Sequence, residues 1–216
     1  MIRFNKPSIT ELEINKVVDC LNGNSILSGD GKYTTEVYEH FKKRFHIDNM
    51  LLTTSGTTAL EMASILIDLE PGDEVITPSF TFSSTVNAFL LRGAKPVFCD
   101  IREDTFNIDE NLIEDLITPK TKAIYAVDYA GFPCEMDKIN EIANRHGLFV
   151  IEDAAQAVGS TYKGRYAGTL TEFVFTKPKI MLWVKVAQLL LMKINIWSVL
   201  KSSVKKVQIE EMYYAD

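Results

Sequence analysis

The sequence lacks the features that mark several large classes of protein. Only three cysteines, Cys20, Cys99 and Cys134, occur among 216 residues, and no two of them form a CxxC pair. This sparse, odd number favours reduced thiols in the cytoplasm and argues against a disulfide framework or a cysteine zinc site. Lys and Arg number 23 against 29 Asp and Glu, so the formal net charge of -6 provides no basic field to attract nucleic acid.

Other familiar signals are also missing. Neither GxxxxGK[ST] nor GxGxxG occurs, which removes the P-loop and Rossmann fingerprints. Residues 1–7 lack the apolar core of a signal peptide. The apolar run 180–192 could suggest a membrane span or an interfacial helix, but a span there would contain Lys185 and Lys193, each of which costs about 2.5–3.5 kcal/mol near a bilayer centre. We therefore expect no membrane partner and, since the three histidines are scattered, no metal.

What the chain does contain is a regular alternation of short apolar runs and helical patterns. Helices are predicted over 8–21, where Ser8 and Glu11 could form a capping box before Gly23, and over 35–45. The elements that follow are strands at 50–54, 74–77, 97–100, 123–127 and 147–151, and helices at 56–69, 83–91, 110–117 and 135–145. Strands that alternate with helices predict an α/β fold with a parallel sheet covered on both faces.

A hydroxyl-rich turn joins the first predicted strand to its helix. Thr54-Ser55-Gly56-Thr57-Thr58 has small residues that let a ligand approach the backbone, and the helix that begins there offers unpaired N–H groups. Such an N-terminus is an anion site of the kind that binds phosphate. The alternative is a plain helix cap rich in Ser and Thr.

Two further strand ends carry candidate ligand-binding groups. Phe80 and Phe82 stand among hydroxyl residues after the second strand, where one ring could lie flat against a planar ligand, although a core Phe is the alternative. Asp128 and Tyr129 follow the fourth strand and offer a carboxylate and a phenol to the same rim.

The last predicted strand runs into Glu152-Asp153-Ala154-Ala155-Gln156. A carboxylate at this position can pair with a cationic ring nitrogen, and Gln156 can bond another edge of the ring. Alternatively, Asp153 only caps a helix that starts at Ala154. Because the carboxyl ends of parallel strands meet in one crevice, a phosphate site, a stacking ring and an acid together describe a site for pyridoxal 5′-phosphate (PLP).

The same stretches carry a family resemblance. Segments 55–60, 71–82 and 152–156 resemble the DegT/StrS sugar aminotransferases, and the resemblance covers roughly residues 1–168. It implies a PLP-dependent transferase of the aspartate-aminotransferase fold, with a mainly parallel sheet. This chain would hold an incomplete large domain and no small C-terminal domain.

The resemblance also assigns roles to individual residues. Asp153 would pair with the pyridinium nitrogen, Gln156 would contact the hydroxyl side of the ring, and Phe82 would stack on it. Backbone N–H groups would bind the phosphate, and they belong to Gly56, Thr57 and Thr58. Asp128 departs from the pattern, because relatives have His there.

The implied reaction transfers an amino group from glutamate, through PLP, to a dTDP-4-keto-6-deoxy-hexose in the synthesis of cell-surface polysaccharides. Segments 91–95, 129–131 and 160–165 favour a member with that nucleotide-sugar substrate. Intact relatives are homodimers, which implies a second copy as partner. A PLP-family sugar dehydratase, in which His replaces the cofactor-binding lysine, is disfavoured because no His follows His146.

The tail departs from the family. Relatives continue with Phe-His-Glu-Thr-Lys-Asn, whose Lys binds the cofactor, and then Gly-Glu-Gly-Gly, whereas residues 175–180 read Phe-Thr-Lys-Pro-Lys-Ile. A direct match nominates Lys179, or Lys177, as the catalytic lysine. The genetic code suggests another explanation. In the offset reading frame that starts at the third base of each codon, the codons of residues 174–180 can encode Phe-His-Glu-Thr-Lys-Asn. In the same frame, the codons of 182–187 can encode Met-Gly-Glu-Gly-Gly.

The codons of 204–210 similarly permit Glu-Lys-Gly-Thr-Asn-Arg, so three family-like strings stand in register and in order. Our hypothesis is a frameshift near 168–172 that replaces the native lysine. Residues 1–170 would then be part of the PLP-binding large domain, and 171–216 an aberrant, poorly ordered tail. The product could be an inactive enzyme, or a non-catalytic remnant that binds PLP or a nucleotide sugar.

Overall fold

A computed structural model describes residues 9–23, 31–47, 49–171, 173–176 and 180–183. The helices are α1 (Glu11–Asn22), α2 (Lys32–Phe45), α3 (Gly56–Leu66), α4 (Ser83–Leu90) and α5 (Met136–His146). The strands are β1 (Asn49–Leu52), β2 (Glu74–Pro78), β3 (Lys95–Cys99), β4 (Thr121–Val127), β5 (Phe149–Ala154), β6 (Thr161–Tyr162), β7 (Arg165–Tyr166), β8 (Phe173–Thr176) and β9 (Ile180–Trp183). Within the described ranges, no helix is long and apolar enough to cross a membrane.

The chain divides into two compact units, one of which contains α1 and the part of α2 up to Phe41. In this unit α1 is capped by Thr10, whose backbone N–H donates to Glu13 at 2.7 Å and whose hydroxyl accepts from the N–H of Leu12. The predicted start of this helix at Ser8 is therefore wrong: the capping box is the Thr10–Glu13 pair, which has the same spacing but lies two residues further along the chain. Gly23 follows the end of the helix, as predicted.

The second unit, from Lys42 onward, holds the seven-stranded sheet. Its strand order is β1-β9-β8-β5-β4-β2-β3, and the five strands from β8 to β3 are parallel. β9 pairs antiparallel with both β8 and β1, which the sequence did not predict. A mainly parallel α/β sheet is thus confirmed.

Helices cover the two faces of this sheet. On one face, the Ser64 hydroxyl of α3 lies 2.8 Å from the Tyr125 hydroxyl of β4, and Phe89 of α4 packs edge-on against the same ring. On the other face, Met136 and Ile139 of α5 join a buried cluster that includes Ile124 of β4. The apolar core therefore lies on both sides of β4, which accounts for the unbroken apolar run at residues 123–127.

One predicted helix is absent, and so is the helix that the cap alternative for Asp153 required. The pattern at 110–117 yields only a 3-10 turn, Glu114–Leu116, because Asp109 and Glu110 are engaged outside a helix: the Asp109 carboxylate accepts the N–H of Asn111, and Glu110 pairs with Arg102. No helix starts at Ala154 either. β5 continues through that residue, so Glu152 and Asp153 lie inside the strand rather than after it.

Candidate active site

The N-terminus of α3 lies at the carboxyl end of β1 and keeps part of its anion-binding capacity. Ser55 is the N-cap, and its hydroxyl accepts the N–H of Thr58 at 3.0 Å. The N–H groups of Gly56 and Thr57 have no acceptor among the residues that the structure describes, as expected for the first positions of a helix. These two donors, together with the positive end of the helix dipole, can bind a phosphate.

Gly56 leaves open space in front of these donors. A methyl group at its Cβ position would meet no heavy atom within 4 Å, so neither packing nor a left-handed backbone explains a glycine there. The missing side chain instead allows a ligand to approach the backbone closely. The plain-cap alternative accounts for Ser55 and Thr58 but not for Gly56.

Asp153 lies near the end of β5 with only 8% of its surface exposed. Its Oδ2 accepts a hydrogen bond from the Thr85 hydroxyl at 3.1 Å, and its Oδ1 accepts from the N–H of Ala155 at 3.2 Å. The Thr85 hydroxyl in turn lies 2.9 Å from that of Thr81. Asp153 is thus a nearly buried acid held by a turn and by α4, and the helix-cap alternative is wrong.

Strand register places Asp153 on the same face of the sheet as α3. Val127 pairs with Asp153 and Tyr125 with Ile151, so the side chains of Tyr125 and Asp153 point to one side. Tyr125 contacts α3 through Ser64 on that side. The acid and the α3 N-terminus therefore share both a face and the carboxyl edge of the sheet.

The two phenylalanines that follow β2 are not core residues. Phe82 is the N-cap of α4 and is 72% exposed, which leaves its ring accessible to a planar ligand. Phe80 is 43% exposed, and its ring packs against Tyr129 and Phe106 at centroid distances of 4.7 and 5.7 Å. The core alternative is wrong for both, because each ring stands on the rim rather than under it.

Gln156 is tied to the turn that follows β4. Its Oε1 accepts the N–H of Ala130 at 2.8 Å, in a turn where Ala130 has a φ of 53°. A left-handed alanine is strained by roughly 1–3 kcal/mol and persists only where its surroundings hold it. With Oε1 engaged, the amide NH₂ of Gln156 is the group left to donate to a ligand.

Asp128 does not reach the rim, contrary to expectation. It is fully buried, and its side chain lies on the α5 face, where Oδ1 accepts the N–H of Cys134 at 2.9 Å. Register explains the difference, since Asp128 follows Val127 and so alternates to the face opposite Asp153. Burial raises the pKa of Asp128 to about 6.

The sequence did not single out Thr85. Its contact with Asp153 joins residues 68 positions apart, and a threonine in the first turn of a helix carries no local sign of such a partner. Lys179 and Lys177, which the tail nominated as catalytic, lie outside the described residues.

Comparisons with known proteins identify the family and the fold. Residues 7–181 match the DegT/DnrJ/EryC1/StrS aminotransferase family. GDP-perosamine synthase of Escherichia coli O157:H7 is 41% identical over 164 residues, which cover 76% of this chain and 45% of that protein. The chain thus spans about half the length of the curated relatives it matches.

Two solved structures that contain a form of the cofactor share this fold. Spr1654 from Streptococcus pneumoniae, in its PLP-form, superposes with a TM-score of 0.78 at 31% identity, covering 85% of this chain and 53% of that one. NtdA from Bacillus subtilis, with bound cofactor PMP, gives a TM-score of 0.70 at 34% identity, covering 81% of this chain and 42% of that one.

Proposed function

We infer that this chain, which belongs to the DegT/DnrJ/EryC1/StrS aminotransferase family, carries the cofactor half of a PLP-dependent sugar aminotransferase site. The observation that carries this proposal is the placement of Asp153 and the α3 N-terminus on one face and at one edge of the sheet. A plain structural role would require neither a nearly buried acid nor an open space at Gly56.

The residues present fit the chemical groups of PLP. The N–H groups of Gly56 and Thr57, with the first turn at Thr58, would hold the phosphate. Asp153 would pair with the ring nitrogen, and its own contact with Thr85 fixes the direction of the carboxylate. The exposed ring of Phe82 would cover one side of the cofactor, and Gln156 would donate to its hydroxyl edge.

Each residue then has a definite task in amino transfer. When bound, PLP supplies the electron-withdrawing ring on which such reactions depend. The Asp153 carboxylate would hold a proton at the ring nitrogen, and its low exposure would keep water from competing for that bond. Lys179 is nominated by sequence to move the proton at the reacting carbon.

Cofactor binding tests the proposed site directly. We expect the chain to bind PLP saturably, because the phosphate donors and the acid need no lysine. We expect no single lysine to be fixed to it by borohydride, because the frameshift hypothesis removes the native one. An absorbance titration followed by mass spectrometry of the reduced peptides measures both outcomes.

The possible results distinguish a non-catalytic remnant from an enzyme with a working lysine. Saturable binding without labelling fits a non-catalytic remnant, whereas one label at Lys179 would establish a working lysine and contradict the frameshift. Absence of saturable binding would overturn the proposed site. Sequencing the coding DNA tests the frameshift independently, since codons that cannot spell the family motif in the offset frame would refute it.

The finer part of the proposal concerns the substrate. We propose a dTDP-4-keto-6-deoxy-hexose with glutamate as donor, as in dTDP-4-amino-4,6-dideoxygalactose transaminase, and a cytoplasmic homodimer that serves polysaccharide synthesis. The supporting residues are the 91–95, 129–131 and 160–165 segments. The exposed aromatic surface formed by Phe80, Phe106 and Tyr129 suits a flat nucleobase.

Nucleotide preference tests that substrate. We expect dTDP to bind more tightly than GDP by about tenfold, the ratio that a difference of about 1.4 kcal/mol produces, because the two bases present different hydrogen-bonding edges. Competition calorimetry with the full chain, saturated with PLP, measures the ratio. A preference for GDP would instead favour a substrate like that of GDP-perosamine synthase.

A further inference from the structure

Two acids lie side by side on the α5 face, away from the proposed cofactor site. Asp128 and Glu152 are both fully buried, and the register that pairs Ala126 with Glu152 puts Asp128 next to Glu152 on the same side of the sheet. Two ionised carboxylates in such a place would repel each other and lose their hydration.

Each acid has fixed backbone partners. Oε1 of Glu152 accepts the N–H of Gly168 at 2.6 Å, and Oε2 accepts that of Leu170 at 3.0 Å. Oδ1 of Asp128 accepts the N–H of Cys134, whereas Oδ2 has no backbone or basic donor among the described residues although it is fully buried. Within the same ranges, no Lys or Arg pairs with either acid.

We propose that Asp128 and Glu152 share one proton, which Glu152 donates in a hydrogen bond to Oδ2 of Asp128. The shared proton supplies the donor that Oδ2 otherwise lacks, and it reduces two buried charges to one. All four carboxyl oxygens then have partners, as buried polar atoms require.

The electrostatic surroundings favour this arrangement. Burial is the largest cause that raises the pKa of both acids, to about 6 for Asp128 and well above the usual value for Glu152. The proposed hydrogen bond would lower the pKa of Asp128 and raise that of Glu152, which assigns the proton to Glu152. Among the described residues, the other titratable groups that act on the pair are Cys134, which donates to Asp128, and Asp153, which lies on the opposite face of the sheet; neither is a cation.

The acid pair joins three segments around Asp153. Asp128 closes the 128–134 turn through Cys134, and Glu152 secures the 168–170 turn. The N–H of Asp128 also donates to the carbonyl oxygen of Asp153 at 3.1 Å. Both acids are thus positioning residues for Asp153, a consequence that rests on the proposed function, whereas the shared proton itself does not.

The pH dependence of stability tests the shared proton without any cofactor. Because both pKa values are raised in the folded chain, the stability they contribute is fully present below about pH 4 and is lost as pH rises through the folded values. For each proton released on unfolding, the unfolding equilibrium constant should rise by up to tenfold per pH unit above pH 6.

Asp128→Asn is the matched variant. Its amide can donate to Glu152 and accept from Cys134, so every bond remains while the shared proton is no longer needed. We expect this variant to fold. Because Asp128 no longer carries a charge and its amide donates to Glu152, the pKa of Glu152 should fall. The pH slope above pH 6, and the infrared carbonyl band of a neutral carboxylic acid expected for the parent chain at pH 7, should therefore both weaken. Asp128→Ala, which leaves the N–H of Cys134 unpaired, should be destabilised at every pH.

Asp100→Asn changes an exposed carboxylate and serves as the control; it should keep both the pH slope of stability and the neutral-acid infrared band. The proposal is overturned if the parent chain shows no neutral-acid band at pH 7, or if the band and the slope are undiminished in Asp128→Asn. Because PLP is absent from these measurements, neither outcome depends on the proposed function.

Discussion

Replacing Asp153 by Asn is expected to weaken PLP binding by roughly 10- to 150-fold, the range that 1.5–3 kcal/mol for a hydrogen bond to a charged group produces. The amide keeps the size of the side chain and can still accept from Thr85. It carries no charge, however, so it cannot hold a proton on the ring nitrogen. An absorbance or fluorescence titration of both chains measures the loss.

Two companion variants make this result specific. Asp100 also stands at the end of a parallel strand and accepts a local backbone N–H, but it is exposed, so Asp100→Asn should leave PLP affinity unchanged. Thr85→Val removes the hydroxyl that orients Asp153 and should cost less, about 2- to 10-fold (about 0.4–1.4 kcal/mol), since the charged carboxylate remains and only one of its partners is lost. Equal affinity in Asp153→Asn and the parent chain would contradict the assigned role.

Gly56→Ala is expected to move stability and binding in opposite directions. The new methyl group meets nothing in the protein, and Gly56 does not require a positive φ, so the change should stabilise the chain by about 0.4–1 kcal/mol. The same methyl group fills the space where the phosphate would approach the backbone. We therefore expect PLP affinity to fall by at least about tenfold, which corresponds to about 1.4 kcal/mol.

Thermal unfolding and PLP titration of the same samples measure both effects. Ser55→Ala is the contrasting variant, because loss of the N-cap should destabilise α3 by about 0.5–2 kcal/mol while leaving the backbone at Gly56 open. If Gly56→Ala binds PLP as tightly as the parent chain, the phosphate does not lie at the α3 N-terminus.

Local patterns predicted most of the sheet and its helices. The alternation of apolar runs and helical periods located β2, α3, α4, β4 and α5 to within a few residues, because each period follows from which side chains must be buried. The antiparallel strand β9 was not predicted, because the direction of a strand depends on partners that are distant in sequence. The region around Asp109 and Glu110 looked helical, but side-chain bonds there hold a turn instead.

The candidate site divides in the same way. Its chemical groups, such as the hydroxyl-rich turn at Ser55 and the acid at Asp153, could be predicted because they stand at strand ends. Which face of the sheet each side chain occupies could not be predicted without the strand register. Asp153 pairs with Val127, so Asp128, the next residue along, points to the opposite face. Thr85 and the partners of Glu152 were missed because their contacts join segments far apart in the chain.

The protonation of the ring nitrogen tests most directly whether this edge of the sheet is a cofactor site built on Asp153. Nitrogen NMR of ¹⁵N-labelled PLP bound to the chain, at a pH where the free cofactor has lost that proton, should show a protonated ring nitrogen. The signal should revert to the deprotonated form in Asp153→Asn and remain protonated in Asp100→Asn. A deprotonated nitrogen in the parent chain, or one that stays protonated without Asp153, would contradict the account.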